Sequence, residues 1–171
     1  MTGVTDDRTS EEVPCRARHP WPERISTRLK TETVARSRRL PLRKGTVLYE
    51  ANSGRGAVCN PEAIFRALLA SPDHAHLTHL WALDPECMDD PIVTEFRGTR
   101  NVRFVRSRSL DYYRALGTSQ YLINNATFPP EFAKRPEQVY VNTWHGTPLK
   151  KMGYSVEGGG PDTRNIIRNF L

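Results

Sequence analysis

Strand and helix signals alternate along the chain from Gly45 onward, and this order constrains the fold more than any other feature. Short β-rich apolar runs are separated by segments in which apolar residues recur at helical spacing. The predicted strands cover residues 46–50, 79–83, 101–105, 120–124 and 139–144. Alternation with short links predicts an α/β domain, in which helices cover both faces of a parallel, Rossmann-like sheet.

Two of the predicted helices carry end signals in the sequence. Asn60 and Pro61 predict the start of one helix, with the asparagine as its cap and the proline in its first turn. Ser109 predicts the cap of another, and Gly117 predicts the end of that helix.

Residues 1–44 differ in composition from the rest of the chain. The segment opens with acidic and polar residues, contains several prolines and becomes basic toward Lys44. Few apolar side chains are present to offset the entropy of ordering, so we expect it to be disordered or weakly helical. A solvated tail and a surface resting on anionic lipid headgroups both fit this composition. Each Lys or Arg near such a membrane contributes about 1 kcal/mol.

The chain carries a formal net charge of +6, which implies an anionic partner. Aromatic residues do not interleave the basic ones, as base stacking requires, so we do not expect nucleic acid. The N-terminal residues contain no apolar signal-peptide region, and no stretch approaches the run of about 20 apolar residues that spans a bilayer. We therefore expect a cytoplasmic protein, peripheral on the inner face of the cell membrane.

Neither the cysteines nor the histidines show metal-ligand spacing. The three cysteines are far apart and form no CxxC pair, so we expect unpaired thiols and no zinc site. His74, His76 and His79 are close in sequence but lack further converging ligands. We expect no metal and no cofactor.

The carboxyl ends of parallel strands are where open α/β sheets bind ligands. Three stretches fall at these ends in the predicted order: residues 52–59, 124–128 and 145–151. His145 directly follows a strand that looks buried, and Gly146 allows a sharp turn after it. A histidine there can accept a proton from an attacking hydroxyl. Lys150 and Lys151 can hold phosphate oxygens as point charges, although a solvated lysine pair is the alternative.

The sequence of residues 143–151, Thr-Trp-His-Gly-Thr-Pro-Leu-Lys-Lys, resembles the CDP-glycerol glycerophosphotransferase family, which includes the teichoic acid primases and polymerases. Weaker matches precede it in order: residues 49–54 with 60–61, Ser107 with Tyr112 and Tyr113, residues 121–125, and positions 135, 138 and 140. The resemblance covers position 49 to about position 153.

This resemblance implies the N-terminal, acceptor-binding half of a two-domain transferase of the GT-B type. The implied reaction transfers glycerol phosphate from CDP-glycerol to a hydroxyl of a lipid-linked polyol-phosphate polymer of the cell wall, releasing CMP. The histidine of the motif, the catalytic base, maps onto His145. Trp144, Gly146 and Thr147 of the same motif belong to the implied acceptor and phosphate site, together with Lys150 and Lys151.

Two polar loops are expected to border the same cleft. Asn52, Ser53 and Gly54 form a glycine-containing loop that we expect to approach the acceptor. Asn124 and Asn125 end a neighbouring strand. Ordinary turn chemistry remains the alternative for both loops.

The donor half of the family has no counterpart in this sequence. Residues 45–157 account for the acceptor domain, and residues 158–171 for a linker and the start of a helix that is cut at Leu171. We therefore expect a fragment with weak or no transferase activity alone, which meets CDP-glycerol through a missing C-terminal half. Two alternatives stay open: a GT-B glycosyltransferase fragment that uses a nucleotide sugar, and a non-catalytic module that binds an anionic polymer or membrane.

Overall fold

A parallel sheet of five strands forms the centre of the fold. The computed structural model describes residues 27–144. Its strands are β1 (Arg43–Glu50), β2 (Thr78–Leu83), β3 (Val102–Arg106), β4 (Ser119–Asn124) and β5 (Val139–Asn142). They lie in the order β3-β2-β1-β4-β5, and every neighbouring pair is parallel. The predicted α/β, Rossmann-like sheet is confirmed, and the chain order reverses between β1 and β4.

Helices pack on both faces of this sheet. They are α1 (Thr27–Ser37), α2 (Cys59–Ala70), α3 (Pro91–Glu95) and α4 (Leu110–Thr118). Successive strand residues point to opposite faces, so each face has its own apolar cluster. On one face, Tyr49 and Trp81 stack with ring centroids 5.2 Å apart and meet Phe65 of α2. On the other face, Leu48 and Leu122 lie in a cluster with side chains of α1 and α4.

Helix α1 lies within the segment that we expect to be disordered or weakly helical, and it packs against the rest of the domain. Val34 is 3% exposed and joins the same apolar cluster as α4. The two helices come close because Gly117 lacks a side chain: a Cβ there would lie 2.6 Å from the Cβ of Ser37. The buried valine and the close glycine contact hold this basic helix against α4. The other limits of the predicted domains fall outside the described residues.

The predicted ends of α4 have different outcomes. The Oγ of Ser109 accepts a hydrogen bond from the Tyr112 N–H at 3.2 Å, so the predicted cap is confirmed. Gly117 does not end the helix, which continues to Thr118. Gly117 instead allows the close contact between α4 and α1. The sequence alone does not distinguish a glycine that ends a helix from one that allows close packing.

The predicted cap of α2 is wrong. Val58 occupies the cap position, and Asn60 lies within the first turn of the helix. The side chain of Asn60 is used elsewhere: its Nδ2 donates to the carbonyl oxygen of Trp144 at 3.2 Å. A long-range hydrogen bond has replaced the local one that the sequence pattern suggested.

Strand β5 lies at an edge of the sheet and is half exposed, not buried as expected. Val139 and Val141 are 47% and 42% exposed, while Tyr140 packs against the apolar cluster on the other face. Within residues 27–144, only one face of this strand is covered. The strand also ends at Asn142, two residues earlier than predicted, and Trp144 has a left-handed φ of 43° that no strand contains.

No helix within residues 27–144 has the length and apolar character that crossing a membrane requires. In the same range, Cys59 is a free, exposed thiol.

Candidate functional site

Polar side chains gather at the carboxyl edge of the sheet. Glu50 ends β1 and Asn124 ends β4, and these two residues are partners in the strand register. Both are buried, at 3% and 0% exposure. Asp84 follows β2, and Ser107 follows β3. Ligands in open α/β sheets bind where the strand order reverses, here between β1 and β4, so this edge is the candidate site.

Two of the predicted site residues, Asn52 and Asn125, bond to each other across this reversal. The backbone N–H of Asn52 donates to Oδ1 of Asn125 at 2.8 Å, and Nδ2 of Asn125 donates to Oδ1 of Asn52 at 3.1 Å. Asn52 has a φ of 47°, a left-handed conformation that asparagine tolerates better than most residues. The pair therefore holds the loop after β1 against the end of β4.

Ser53 and Gly54 complete the turn that begins at Asn52. Both have left-handed backbone, with φ of 60° and 94°. The carbonyl of Gly54 accepts a hydrogen bond from the Asp84 N–H at 2.8 Å. A Cβ on Gly54 would lie 3.0 Å from Oδ1 of Asp84 and 3.1 Å from Cβ of Ser107. Only glycine fits this close approach, which packs the turn onto the loops after β2 and β3.

Asn124 lies beneath the surface of the candidate site. Its Oδ1 accepts a hydrogen bond from the Tyr140 hydroxyl at 2.8 Å, but its Nδ2 has no partner among the described residues. Leaving a buried amide donor unpaired costs roughly 1–3 kcal/mol. Asn124 is therefore a buried polar residue beneath the carboxyl edge, next to Glu50 in the strand register, with one amide donor unpaired among the described residues.

Glu50 is a buried carboxyl group that sequence reasoning missed. The hydroxyl of Tyr112 donates a hydrogen bond to its Oε2. Burial raises the pKa of Glu50 to about 7, against the opposing effects of that hydrogen bond and of the charge of Arg108. The sequence signal for this residue is an acidic side chain directly after the apolar run of β1. Polar and apolar residues do not alternate in that run, so both faces of the strand are buried.

Exposed arginines bring positive charge to the rim formed by the loops after β1 and β3. Burial raises the pKa of Asp84, while the charges of Arg108 and Arg55 and a hydrogen bond from Ser107 lower it. Both arginines are exposed to solvent. The rim can therefore attract an anion even though the groups beneath it are acidic.

Trp144 brings the end of β5 to the same edge. Its N–H donates to Oδ1 of Asn142 at 2.9 Å, and its carbonyl accepts from Nδ2 of Asn60 at 3.2 Å. The first turn of α2 and the end of β5 are thereby joined. Neither Asn60 nor Asn142 was predicted as a site residue, because each acts through a backbone group distant from the obvious motif.

The remaining predicted site residues lie outside the described residues: His145, Gly146, Thr147, Lys150 and Lys151. Their roles stay predictions. Trp144 is joined to His145 by a peptide bond, so the chain leaves the described structure at the edge where ligands are expected.

The histidines of β2 and its preceding turn form no metal centre. His79 is fully buried, and its Nδ1 lies 2.9 Å from the hydroxyl of Tyr49. Burial lowers the pKa of His79 to about 4. His74 bonds to Ser71 instead. Within residues 27–144, no group of three or more His, Cys, Asp or Glu side chains could hold a metal ion.

Comparison with known proteins gives consistent results. The family model described as CDP-Glycerol:Poly(glycerophosphate) glycerophosphotransferase matches residues 32–171. The teichoic acid poly(glycerol phosphate) polymerase of Bacillus spizizenii (strain W23) is 31% identical over 135 residues, which are 77% of this chain and 33% of that protein. The teichoic acid glycerol-phosphate transferase of Staphylococcus aureus is 26% identical over 130 residues, 74% of this chain and 31% of that protein. This chain thus spans about a third of the length of these two relatives.

Solved structures of the wall teichoic acid polymerase TagF have the same fold. One, a variant soaked with CDPG, has a TM-score of 0.64 and 20% identity, and the match covers 83% of this chain and 36% of that one. A second variant gives a TM-score of 0.63 and 22% identity, with 83% and 35% covered.

Proposed function

Because the chain belongs to the CDP-glycerol:poly(glycerophosphate) glycerophosphotransferase family, we propose that it is the acceptor-binding half of an enzyme of teichoic acid synthesis. The enzyme transfers glycerol phosphate from CDP-glycerol to a hydroxyl of a lipid-linked polyol-phosphate polymer. One observation carries the proposal: the Trp144 peptide is held between α2 and β5 at the carboxyl edge. His145 therefore starts from the edge at which such sheets bind ligands.

In the proposed reaction, His145 takes the proton of the acceptor hydroxyl as its oxygen attacks phosphorus. The bond from phosphorus to the CMP oxygen breaks, and CMP leaves with the electron pair. General-base help contributes typically about 10²–10⁴-fold to such a step. Gly146 provides the turn, Thr147 donates a hydrogen bond, and Lys150 and Lys151 stabilise charge on the phosphoryl oxygens.

The acceptor is proposed to cross the rim formed by the loops after β1 and β3. Asn52, Ser53 and Gly54 border its path, and Asn124 and Asn125 form the floor. A polymer with repeated phosphates is attracted by the exposed guanidinium groups of Arg55 and Arg108. The charge of the rim and its place at the same carboxyl edge of the sheet as Trp144 support this arrangement.

Binding to the chain itself tests the acceptor role. We expect titration calorimetry to show that the chain binds a short oligo(glycerol phosphate), with an affinity that falls as the salt concentration rises. It should show no binding of CDP-glycerol. Arg108→Gln should weaken oligomer binding about threefold or more, because it removes one charge-assisted contact. Arg103→Gln is the matched control, because Arg103 is also an exposed arginine but lies within β3 and not in the loop after it. Tight binding of CDP-glycerol without binding of the oligomer would contradict the proposal.

Catalysis is tested in a chimera, in which this chain replaces the matching 135 residues of the Bacillus spizizenii polymerase. We expect CMP release from CDP-glycerol with a lipid-linked acceptor, and a loss of about 10²–10⁴-fold in kcat with His145→Ala. The unmodified chain alone should give little or no turnover. Turnover with nucleotide sugars but not with CDP-glycerol would favour a glycosyltransferase, and an unchanged rate with His145→Ala would favour a non-catalytic binding module.

We also propose that the enzyme works at the inner face of the cell membrane. The outer side of α1 presents Arg28 and Arg36, whose side chains are 89% and 79% exposed, and Leu29 and Leu40 are also exposed. Cosedimentation with vesicles containing an anionic lipid should be reduced by Arg28→Glu with Arg36→Glu. Equal sedimentation of both proteins would count against the membrane role of this segment.

A further inference from the structure

The backbone of Trp144 is fixed on both sides of its Cα by side chains of different elements. Asn142 of β5 accepts its N–H at 2.9 Å, and Asn60 of α2 donates to its carbonyl at 3.2 Å. Trp144 has a φ of 43°, which costs a non-glycine residue about 1–2 kcal/mol. Such a conformation persists only where its surroundings hold it, and these two asparagines supply the hold.

The amide of Asn142 is itself oriented by its neighbours. Its Nδ2 donates to the carbonyl of Ala126 at 2.6 Å and lies 3.1 Å from the hydroxyl of Tyr140. That hydroxyl in turn donates to Oδ1 of Asn124 at 2.8 Å. A flipped amide would turn its oxygen toward the Ala126 carbonyl and its NH₂ toward the Trp144 N–H. The only arrangement that satisfies all partners therefore places Oδ1 of Asn142 at Trp144.

We propose that Asn60 and Asn142 are positioning residues: Asn142 holds the peptide group before Trp144, Asn60 holds the peptide group that joins Trp144 to His145, and together they set where the imidazole of His145 is delivered. The inference rests on the proposed role of His145 as the base. The carbonyl that Asn60 holds belongs to the peptide bond between Trp144 and His145, so the hold acts on the histidine through covalent geometry. A general base must come within hydrogen-bonding distance of the hydroxyl, and a shift of about 1 Å can cost 10²-fold in rate.

A kinetic experiment in the chimera separates positioning from a structural role. Asn142→Ala and Asn60→Ala should each lower kcat by about tenfold to a hundredfold, leave KM for CDP-glycerol within about twofold, and retain the pH profile of the unmodified chimera. Asn60→Gln keeps the amide donor and should recover part of the lost rate. Asn101→Ala is the matched control, because it removes a side-chain amide bond to a backbone carbonyl, also 3.2 Å long, at the amino edge of the sheet.

Hydrogen exchange of the chain itself gives a readout that needs no catalysis. The Trp144 amide should exchange at least about tenfold faster in Asn142→Ala than in the unmodified chain, while Asn101→Ala leaves it unchanged. Unchanged exchange and a kcat within twofold for both variants would overturn the positioning role. If His145→Ala also leaves kcat unchanged, the proposed function fails as well. If His145→Ala inactivates the chimera while the asparagine variants do not, only the positioning inference fails.

Discussion

At the scale of single residues, the carboxyl edge holds an acidic group, Glu50, where its charge is unfavourable. The side chain is 3% exposed, and the hydroxyl of Tyr112 donates to it. Burial raises its pKa to about 7, so the folded chain binds a proton that the unfolded chain has already lost near neutral pH. The unfolding free energy must therefore decrease as pH rises from the ordinary pKa of glutamate toward 7.

We expect Glu50→Gln to remove this pH dependence. Between about pH 4.5 and pH 7 the variant should gain stability relative to the unmodified chain by roughly 3 kcal/mol, with no further gain above pH 7. The amide oxygen of glutamine can still accept the hydrogen bond from Tyr112. Urea unfolding at a series of pH values measures the difference.

Glu137→Gln is the matched control for this series, because Glu137 has a 61% exposed side chain and faces Arg135 at 3.5 Å. Its stability should run parallel to that of the unmodified chain. If the unfolding free energy of Glu50→Gln also changes with pH in parallel with that of the unmodified chain, Glu50 is ionised in the folded chain at neutral pH.

Residue roles were predictable only where the topology alone decides them. Asn52 and Asn125 were expected at one site because both follow strands that end at the same edge. Their mutual hydrogen bonds were not foreseen, and neither was the link between Asn60 and Trp144. These bonds join residues 73 and 84 positions apart, and no local pattern encodes such pairs.

At the scale of elements, the contact between α1 and α4 depends on the missing side chain of Gly117. An alanine there would favour helix formation by about 1 kcal/mol. Its Cβ would also lie 2.6 Å from the Cβ of Ser37, too close for van der Waals contact, and overpacking costs about 1–3 kcal/mol. The steric effect should win, because the atom it meets is next to the backbone and cannot move away easily.

We expect Gly117→Ala to lower the unfolding free energy by about 1–2 kcal/mol. Ser37→Gly removes the opposing Cβ and alone costs about 0.5–1 kcal/mol. The double variant should be more stable than the sum of the two single changes by about 1 kcal/mol or more. Denaturant unfolding of the four proteins gives this coupling, and strict additivity would show that the helices separate without cost.

The strands were predictable because each is a short apolar run between turn signals, and all five were placed to within a few residues. Helix ends were less so. The C-terminal signal of Gly117 and the cap signal of Asn60 are local rules that tertiary contacts overrode. Helix α1 is expected from the sequence at most as a weak helix, because Val34 is its only fully buried apolar side chain among many polar and charged residues.

At the scale of the whole molecule, order should decline from the centre of the sheet toward β5. Strand β1 pairs on both sides, with β2 and β4, and both of its faces are covered. Strand β5 pairs with β4 alone among the described strands, and Val139 and Val141 are exposed on its open face. Local opening is cheapest where fewest contacts must be broken.

Native-state hydrogen exchange should therefore be slowest in β1 and faster by at least about tenfold in β5. Strand β3, at the opposite edge, is the internal comparison, because Val102 belongs to the apolar core while its neighbours are partly exposed. Protection of β5 equal to that of β1 would mean that part of the chain beyond residues 27–144 covers Val139 and Val141.

The reciprocal bonding of Asn52 and Asn125 restricts how these two positions can change over evolution. Replacing either side chain alone leaves the other amide without its hydrogen-bond partner. Asn125 is only 1% exposed, so water cannot easily take the place of that partner. If both residues are replaced together, no variant with an unpaired amide has to occur in between. Substitutions at 52 and 125 should accordingly be correlated among descendants of this sequence, so that the loop after β1 and the end of β4 evolve as one unit.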